Sequence, residues 1–253
     1  MTSRGLALSC LLLGACSNPF AFYKAPGCFE LHVKEAVELY EERKPLYSDL
    51  SKGRSDIDLW ILTFMQRLNI PTARDFDKRA AALRERGIEG LGCNEFVSMS
   101  GVPAFQKNIF PSATESVRRI DTSSLGSELS KLLDAGQYQE IVARADKELD
   151  SLKASPHYDC LVRHFLESIV RAADLLPHYQ KSIDTLSQDE KIRQQLLVDV
   201  REWSDDFIAL HISVLSTAKF LDRRVEPLQK EGLALFCQDL PQIPKYAPLP
   251  QAP

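Results

Sequence analysis

Apolar residues recur every three or four positions from Ile192 to Leu228: Ile192, Leu196, Val200, Trp203, Phe207, Leu210, Val214, Ala218, Leu221, Val225 and Leu228. A period near 3.5 places them on one stripe of a single long helix, widened by Leu197, Ile208 and Leu215. At 1.5 Å per residue such a helix spans roughly 50 Å, so it needs a partner along its length. The partner lies immediately upstream. Tyr158, Val162, Phe165, Ile169, Ala172, Leu176, Tyr179, Ile183 and Leu186 alternate steps of four and three, a heptad seam. Between the stripes, Ser187-Gln188-Asp189-Glu190 has the form of a capping box, with Ser187 as the expected cap and Glu190 reaching back to it. So short a connection makes the two helices antiparallel neighbours, and residues 157–226 read as a helical hairpin. Pro177 is expected to kink the first arm. Pro227 is expected to end or bend the second near Glu226.

Shorter stripes precede the hairpin. Phe29, Val33, Ala36, Val37 and Tyr40 form one that should stop before Pro45. A capping pattern at Ser55–Asp58 opens a second, carrying Leu59, Leu62 and Met65. Thr72 is the expected start of a third, with Phe76, Ala80 and Leu83 leading to a terminal Gly87. Periodicity is then lost over 87–111, where Gly87, Gly90, Gly92 and Gly101 mingle with Phe96, Phe105 and Phe110. A loop of that length is usually functional, and its aromatics argue against disorder. Phe96, Phe105 and Phe110 are therefore the expected partner surface, the alternative being a structural loop whose rings pack between helical layers. Helical patterning resumes at Ser112 and continues to the hairpin; the tail, 241–253, has five prolines and should be extended.

The expected fold is thus all-α: a helical bundle built around a long antiparallel hairpin (111–240), with a smaller N-terminal helical subdomain (28–110). Residues Leu132-Leu133-Asp134-Ala135-Gly136-Gln137-Tyr138, followed by Ile141, Ala145 and Leu149, resemble the turn of a tetratricopeptide hairpin. By that resemblance Gly136 would let two helices cross closely and Tyr138 would pack on the next helix. Ile141 and Glu148 stand where the family has small residues, the helix-ending proline comes late at Pro156, and no second copy follows.

Residues 1–15 stand outside this pattern. One cation, Arg4, precedes the apolar run Leu6–Leu13, which is too short to cross a bilayer as a helix. The run ends in Leu13-Gly14-Ala15-Cys16, which resembles the lipobox of bacterial lipoprotein precursors. The resemblance implies cleavage before Cys16 and acylation of that residue. It also implies a lipidated tether over 16–27, and Ser17, rather than Asp, after the cysteine implies delivery to the outer membrane facing the periplasm. Two or three acyl chains suffice for stable anchoring.

Composition and charge narrow the partners. With 31 Lys+Arg against 35 Asp+Glu, the net charge is −4 and well mixed, and loss of Arg4 with the leader makes it one unit more acidic. No basic tract exists, so nucleic acid is not an expected partner. An envelope protein is. Removing Cys10 and Cys16 from the six cysteines leaves Cys28, Cys93, Cys160 and Cys237, an even number that suits disulfides in an oxidising compartment. A chain turning back at Pro227 would bring Cys237 level with Cys160, which leaves Cys28 for Cys93. No Cys-x-x-Cys spacing points to a redox or metal site instead.

Candidate chemistry is sparse. The phosphate-loop, dinucleotide, nucleophile-elbow and zinc-helix patterns are all absent. His164 and Glu167 sit at i, i+3 and Asp174 and His178 at i, i+4 on the first arm, while Asp205 and His211 lie on the facing arm. Bundle-core metal sites take a Glu-x-x-His pair from each of two helices, and neither arm has one. These groups are therefore expected on solvated helix faces, with no cofactor, no metal and no catalytic constellation. The expected function is a lipid-anchored periplasmic binding or scaffolding module. An envelope enzyme or metal-binding bundle is the alternative, marked by His164, Glu167 and His211 gathering in one cavity.

Overall fold

The structure, a computed structural model, describes residues 27–31, 33–34, 69–92, 120–153 and 160–230. It is an all-α helical bundle; among the described residues there is no strand. A helical segment at 28–34 precedes α1 (Ile70–Glu85), α2 (Thr122–Asp134), α3 (Tyr138–Lys153), α4 (Cys160–Leu186) and α5 (Glu190–Lys230). The helix expected from Ser55, the cap at Ser112, the loop bearing Phe96, Phe105 and Phe110, and the tail 241–253 lie outside the described residues.

The hairpin organises everything else. Helix α5, 41 residues long, packs against α4, α2 and α1, while α3 packs on α4 and α2. Leu196, Val200, Trp203, Phe207, Val214 and Ala218 of its stripe are buried, as are Val162, Phe165, Ile169, Ala172, Leu176, Tyr179 and Ile183 of the facing seam. The stripes end short of the tip: Ile192 and Leu186, on either side of the hairpin turn, are exposed. One continuous cluster of apolar side chains joins both arms to Phe29, Val33, Phe76, Ile88 and Leu91 from the N-terminal part of the chain.

Helix ends show where local sequence decided and where it did not. Helix α1 starts at Ile70 rather than Thr72: the Asn69 side chain accepts from the Thr72 N–H at 2.8 Å. Pro71 then falls in the first turn, where a missing N–H costs nothing. At its other end Gly87 (φ +96°) closes a Schellman turn, with Gly87 N–H donating to Arg84 O and Ile88 N–H to Leu83 O. Gly136 (φ +67°) does the same after α2. A β-carbon on Gly136 would touch nothing within 4 Å, so this glycine serves backbone handedness, not the close helix crossing expected of it.

The hairpin turn also differs from expectation. Asp189, not Ser187, caps α5, accepting from the N–H groups of Lys191 and Ile192, while Glu190 pairs with Arg193 and Gln194. Ser187 Oγ accepts from Asp189 N–H and so shapes the turn itself. Neither proline interrupts its helix. Pro177 lies exposed within α4, and α5 runs through Pro227 to Lys230. A proline removes one backbone hydrogen bond, and at Pro177 the buried Leu175, Leu176 and Tyr179 on the flanking turns offset that loss.

Helix α1 lies antiparallel on α5, fixed by two ion pairs in matching register: Arg79 with Asp206 at 2.7 Å, and Arg86 with Asp199. Seven residues forward on α1 correspond to seven back on α5.

Candidate functional site

The densest chemistry lies where segment 28–34, α1, α4 and α5 meet. Trp203, Phe207 and His211 follow one another at four-residue spacing on α5, so their rings stack along one helix face. Trp203 and Phe207 are parallel at 5.1 Å, and Phe207 and His211 are 4.1 Å apart. Phe76 meets Trp203 edge-on at 5.7 Å, and the Trp203 indole N–H donates to the Phe76 carbonyl at 3.0 Å. Phe29 closes the group, 5.5 Å from Phe207 and 6.0 Å from His211, and Phe165 of α4 approaches His211 at 5.7 Å. Edge-to-face and offset rings at these separations each add to plain area burial.

Polar groups hold the N-terminal segment to this cluster. Asp77, a buried residue of α1, accepts from the N–H groups of Phe29 (3.2 Å) and Glu30 (2.7 Å). It caps a helix 47 residues away as an N-cap residue would locally. Burial raises the Asp77 pKa, and the two N–H bonds pull against that rise. Glu30 is buried as well. The Arg74 guanidinium grips both its oxygens, Lys34 adds a third contact at 3.0 Å, and these bonds lower its pKa to about 2. Asp222 of α5 repeats the remote cap at the start of α4, accepting from Leu161 (3.2 Å) and Val162 (3.1 Å). Both disulfide candidates Cys28 and Cys160 thus open helices whose first turns are capped from another helix.

The histidines correct the expectation of solvated faces. His164 and His211 are each only 2% exposed. Burial lowers the His164 pKa to about 4 and the His211 pKa to about 3; in His211 a hydrogen bond from Nδ1 to the Phe207 carbonyl (2.7 Å) opposes the fall and the nearby His164 adds to it. Both are therefore neutral at physiological pH. The signal was present: His211 continues the Trp203–Phe207 spacing, and His164 adjoins Phe165 of the seam. Asp174 and His178 are exposed, as expected. Asp205 instead accepts from the Tyr138 hydroxyl at 2.8 Å, and burial, then that bond, raises the tyrosine's pKa. Glu167 is half-buried on α4, its pKa raised by burial. Among the described residues, no three His, Cys, Asp or Glu side chains gather as a metal would require.

A second feature is an open cleft of about 360 Å³ between the start of α2 and the far part of α5, lined by Ile120, Thr122, Ser123, Ser216, Lys219 and Arg223. Asp121 also lines it, but its carboxylate is engaged in capping Ser123 and Ser124.

Of the residues singled out in the sequence, Cys16, Cys93, Cys237, Phe96, Phe105 and Phe110 lie outside the described residues. Cys28 is disulfide-bonded; its expected partner, Cys93, is among the residues not described. No helix among the described residues is long and apolar enough to cross a membrane. The chain matches no family model, no curated protein and no solved structure.

Proposed function

We propose that this chain is a lipid-anchored helical module of the bacterial cell envelope, held at the outer membrane on its periplasmic side, whose work is binding or scaffolding rather than catalysis. The observation that carries the reading is Leu13-Gly14-Ala15-Cys16 at the end of a short apolar run behind a single cation. The fold is suited to such an anchor. Gly27 lies eleven positions after Cys16, a reach of up to about 35–40 Å between an acylated cysteine and the bundle. The chain then enters the bundle at a firmly held point, with Phe29 in the aromatic cluster, Asp77 on the backbone and Arg74 on Glu30. A pull on the tether therefore reaches α5 directly. In this reading Phe96, Phe105 and Phe110 meet an envelope protein partner, and Cys28–Cys93 and Cys160–Cys237 are the disulfides.

The test is metabolic labelling with a radioactive fatty acid in cells expressing the full chain or Cys16→Ala. Label on the wild type only, with the variant lost from the membrane fraction, supports the reading. Equal labelling, or equal membrane retention, overturns it.

A further inference from the structure

The open cleft between the start of α2 and the far part of α5 has firm walls. At Gly126 the two helices come close: a β-carbon there would meet the Ile212 side chain at 3.8 Å. Leu125 and Leu129 of α2 and Val214, Leu215 and Ala218 of α5 are buried beside this contact. The cleft follows, bounded by Ile120 to Ser123 on α2 and Ser216 to Arg223 on α5.

Ser216, Lys219, Phe220 and Arg223 stand at i, i+3, i+4 and i+7, so they share one face of α5, and all four line the cleft. Two cations four residues apart on one helix face repel each other, and a bound anion offsets that repulsion. Lys219 is only 5% exposed. Arg223 is exposed, and among the described residues its guanidinium makes no ion pair or hydrogen bond. The side-chain hydroxyls of Ser123 and Ser216 make none there either.

The opposite wall carries a negative charge. Asp121 takes the N–H groups of Ser123 and Ser124 through Oδ1, so the first turn of α2 is already capped and Oδ2 is left out of the cap. Among the described residues Asp121 forms no ion pair across the cleft. Charges of both signs therefore line one cavity without meeting.

We propose that this cleft binds a phosphoamine, a phosphate joined by a short link to a primary ammonium, as in phosphoethanolamine, either free or as a phospholipid headgroup.

The donors on the walls suit a phosphate. A guanidinium fork, an ammonium and two hydroxyls match the several oxygens of a tetrahedral group, and charge-assisted bonds of this kind are the strong ones. Asp121 supplies the partner for the ammonium and repels an anion that lacks one. Ile120 and Phe220 give the link an apolar surface. The volume of about 360 Å³ lies within the usual range of small-ligand sites. The site works whether or not Cys16 is acylated, so it stands apart from the membrane anchor.

The experiment is titration of the full chain, disulfides intact, with O-phosphoethanolamine, followed by amide NMR shifts at 120–124 and 216–223. Saturable binding with Kd of about 1 mM or tighter is expected. Arg223→Gln should weaken it at least about fivefold. Asp121→Asn keeps an oxygen to cap α2; it should weaken O-phosphoethanolamine and leave inorganic phosphate bound as well as before or better. No saturation by about 10 mM, a smaller effect of Arg223→Gln, or equal weakening of both probes in Asp121→Asn overturns the proposal. If either variant fails to fold, Ser216→Phe decides, since it fills the cleft from an exposed helix position: lost binding supports the site and retained binding overturns it. Dihexanoyl phosphatidylethanolamine, kept below its micelle concentration, separates the two sources. Tighter binding than O-phosphoethanolamine assigns the cleft to the lipid headgroup, and equal or weaker binding assigns it to the free molecule.

Discussion

Gly27 has no side chain because Asp77 occupies the space: a β-carbon built on Gly27 would lie 2.1 Å from Asp77 Cγ. The carboxylate has to come that near to accept from Phe29 and Glu30, whose N–H groups open the helical segment. Gly27→Ala should therefore cost about 1–3 kcal/mol, the range for forcing an extra methyl into a filled site. Asp77→Ala removes both the obstacle and the cap, a loss of about 0.5–2 kcal/mol. In the Asp77→Ala background Gly27→Ala should cost much less. Urea unfolding of the four proteins checks this double-mutant cycle, and additive costs would show that the two residues do not interact as described.

Phe207 and Asp206 are neighbours in sequence with opposite roles. Phe207 is fully buried among Trp203, Phe76, Phe29 and His211. Phe207→Ala should cost about 3–5 kcal/mol. Asp206 is exposed and pairs with Arg79, so Asp206→Ala should cost less than about 1 kcal/mol. Similar melting temperatures for the two variants would contradict the packing of α5.

Asp222 caps α4 with both carboxylate oxygens from across the hairpin. Asp222→Ala leaves two N–H groups at the start of α4 without that acceptor, and about 1–2 kcal/mol should be lost. Asp222→Asn keeps one acceptor and should fall between the variant and the wild type. Chemical denaturation gives the order directly.

Glu30 gives the fold an acid dependence. Its folded pKa is about 2, held down by Arg74 and then Lys34, against an ordinary 4.5. A depressed carboxylate stabilises the fold above its unfolded pKa, and that contribution disappears as pH falls from about 4.5 to about 2. In Glu30→Gln the unfolding midpoint should be lower at pH 6 and should decline less steeply through that window. An unchanged slope would mean that the ion pairs with Arg74 and Lys34 do not act on stability.

The hairpin was legible because Val162 to Ile183 and Leu196 to Ala218 repeat a simple spacing, and burial follows that spacing. Phe76, Ala80, Leu83 and Gly87 were legible for the same local reason. The caps by Asp77 and Asp222 were not, since each joins residues 47 to 61 positions apart and leaves no periodic mark. The choice of Asn69 over Thr72, and of Asp189 over Ser187, turned on which neighbouring side chain reached the free N–H groups, a contest that sequence form alone does not decide. His164 and His211 lie buried, against the expectation of solvated faces, because position on the helix rather than polarity sets the side a residue faces. At His211 the four-residue step from Phe207 outweighed the preference of an imidazole for water. The lipid attachment and the aromatic loop rest on sequence alone.

Helix α5 behaves as a ruler. Trp203 is read by α1, His211 by the N-terminal segment, and Asp222 by the start of α4. Each residue added between them would turn everything beyond it by about 100° and advance it 1.5 Å. No single insertion in that stretch leaves all three partners aligned. Substitutions along the outer face of α5 are tolerable where changes in its length are not, and natural variation in the number of residues belongs in the connections between helices.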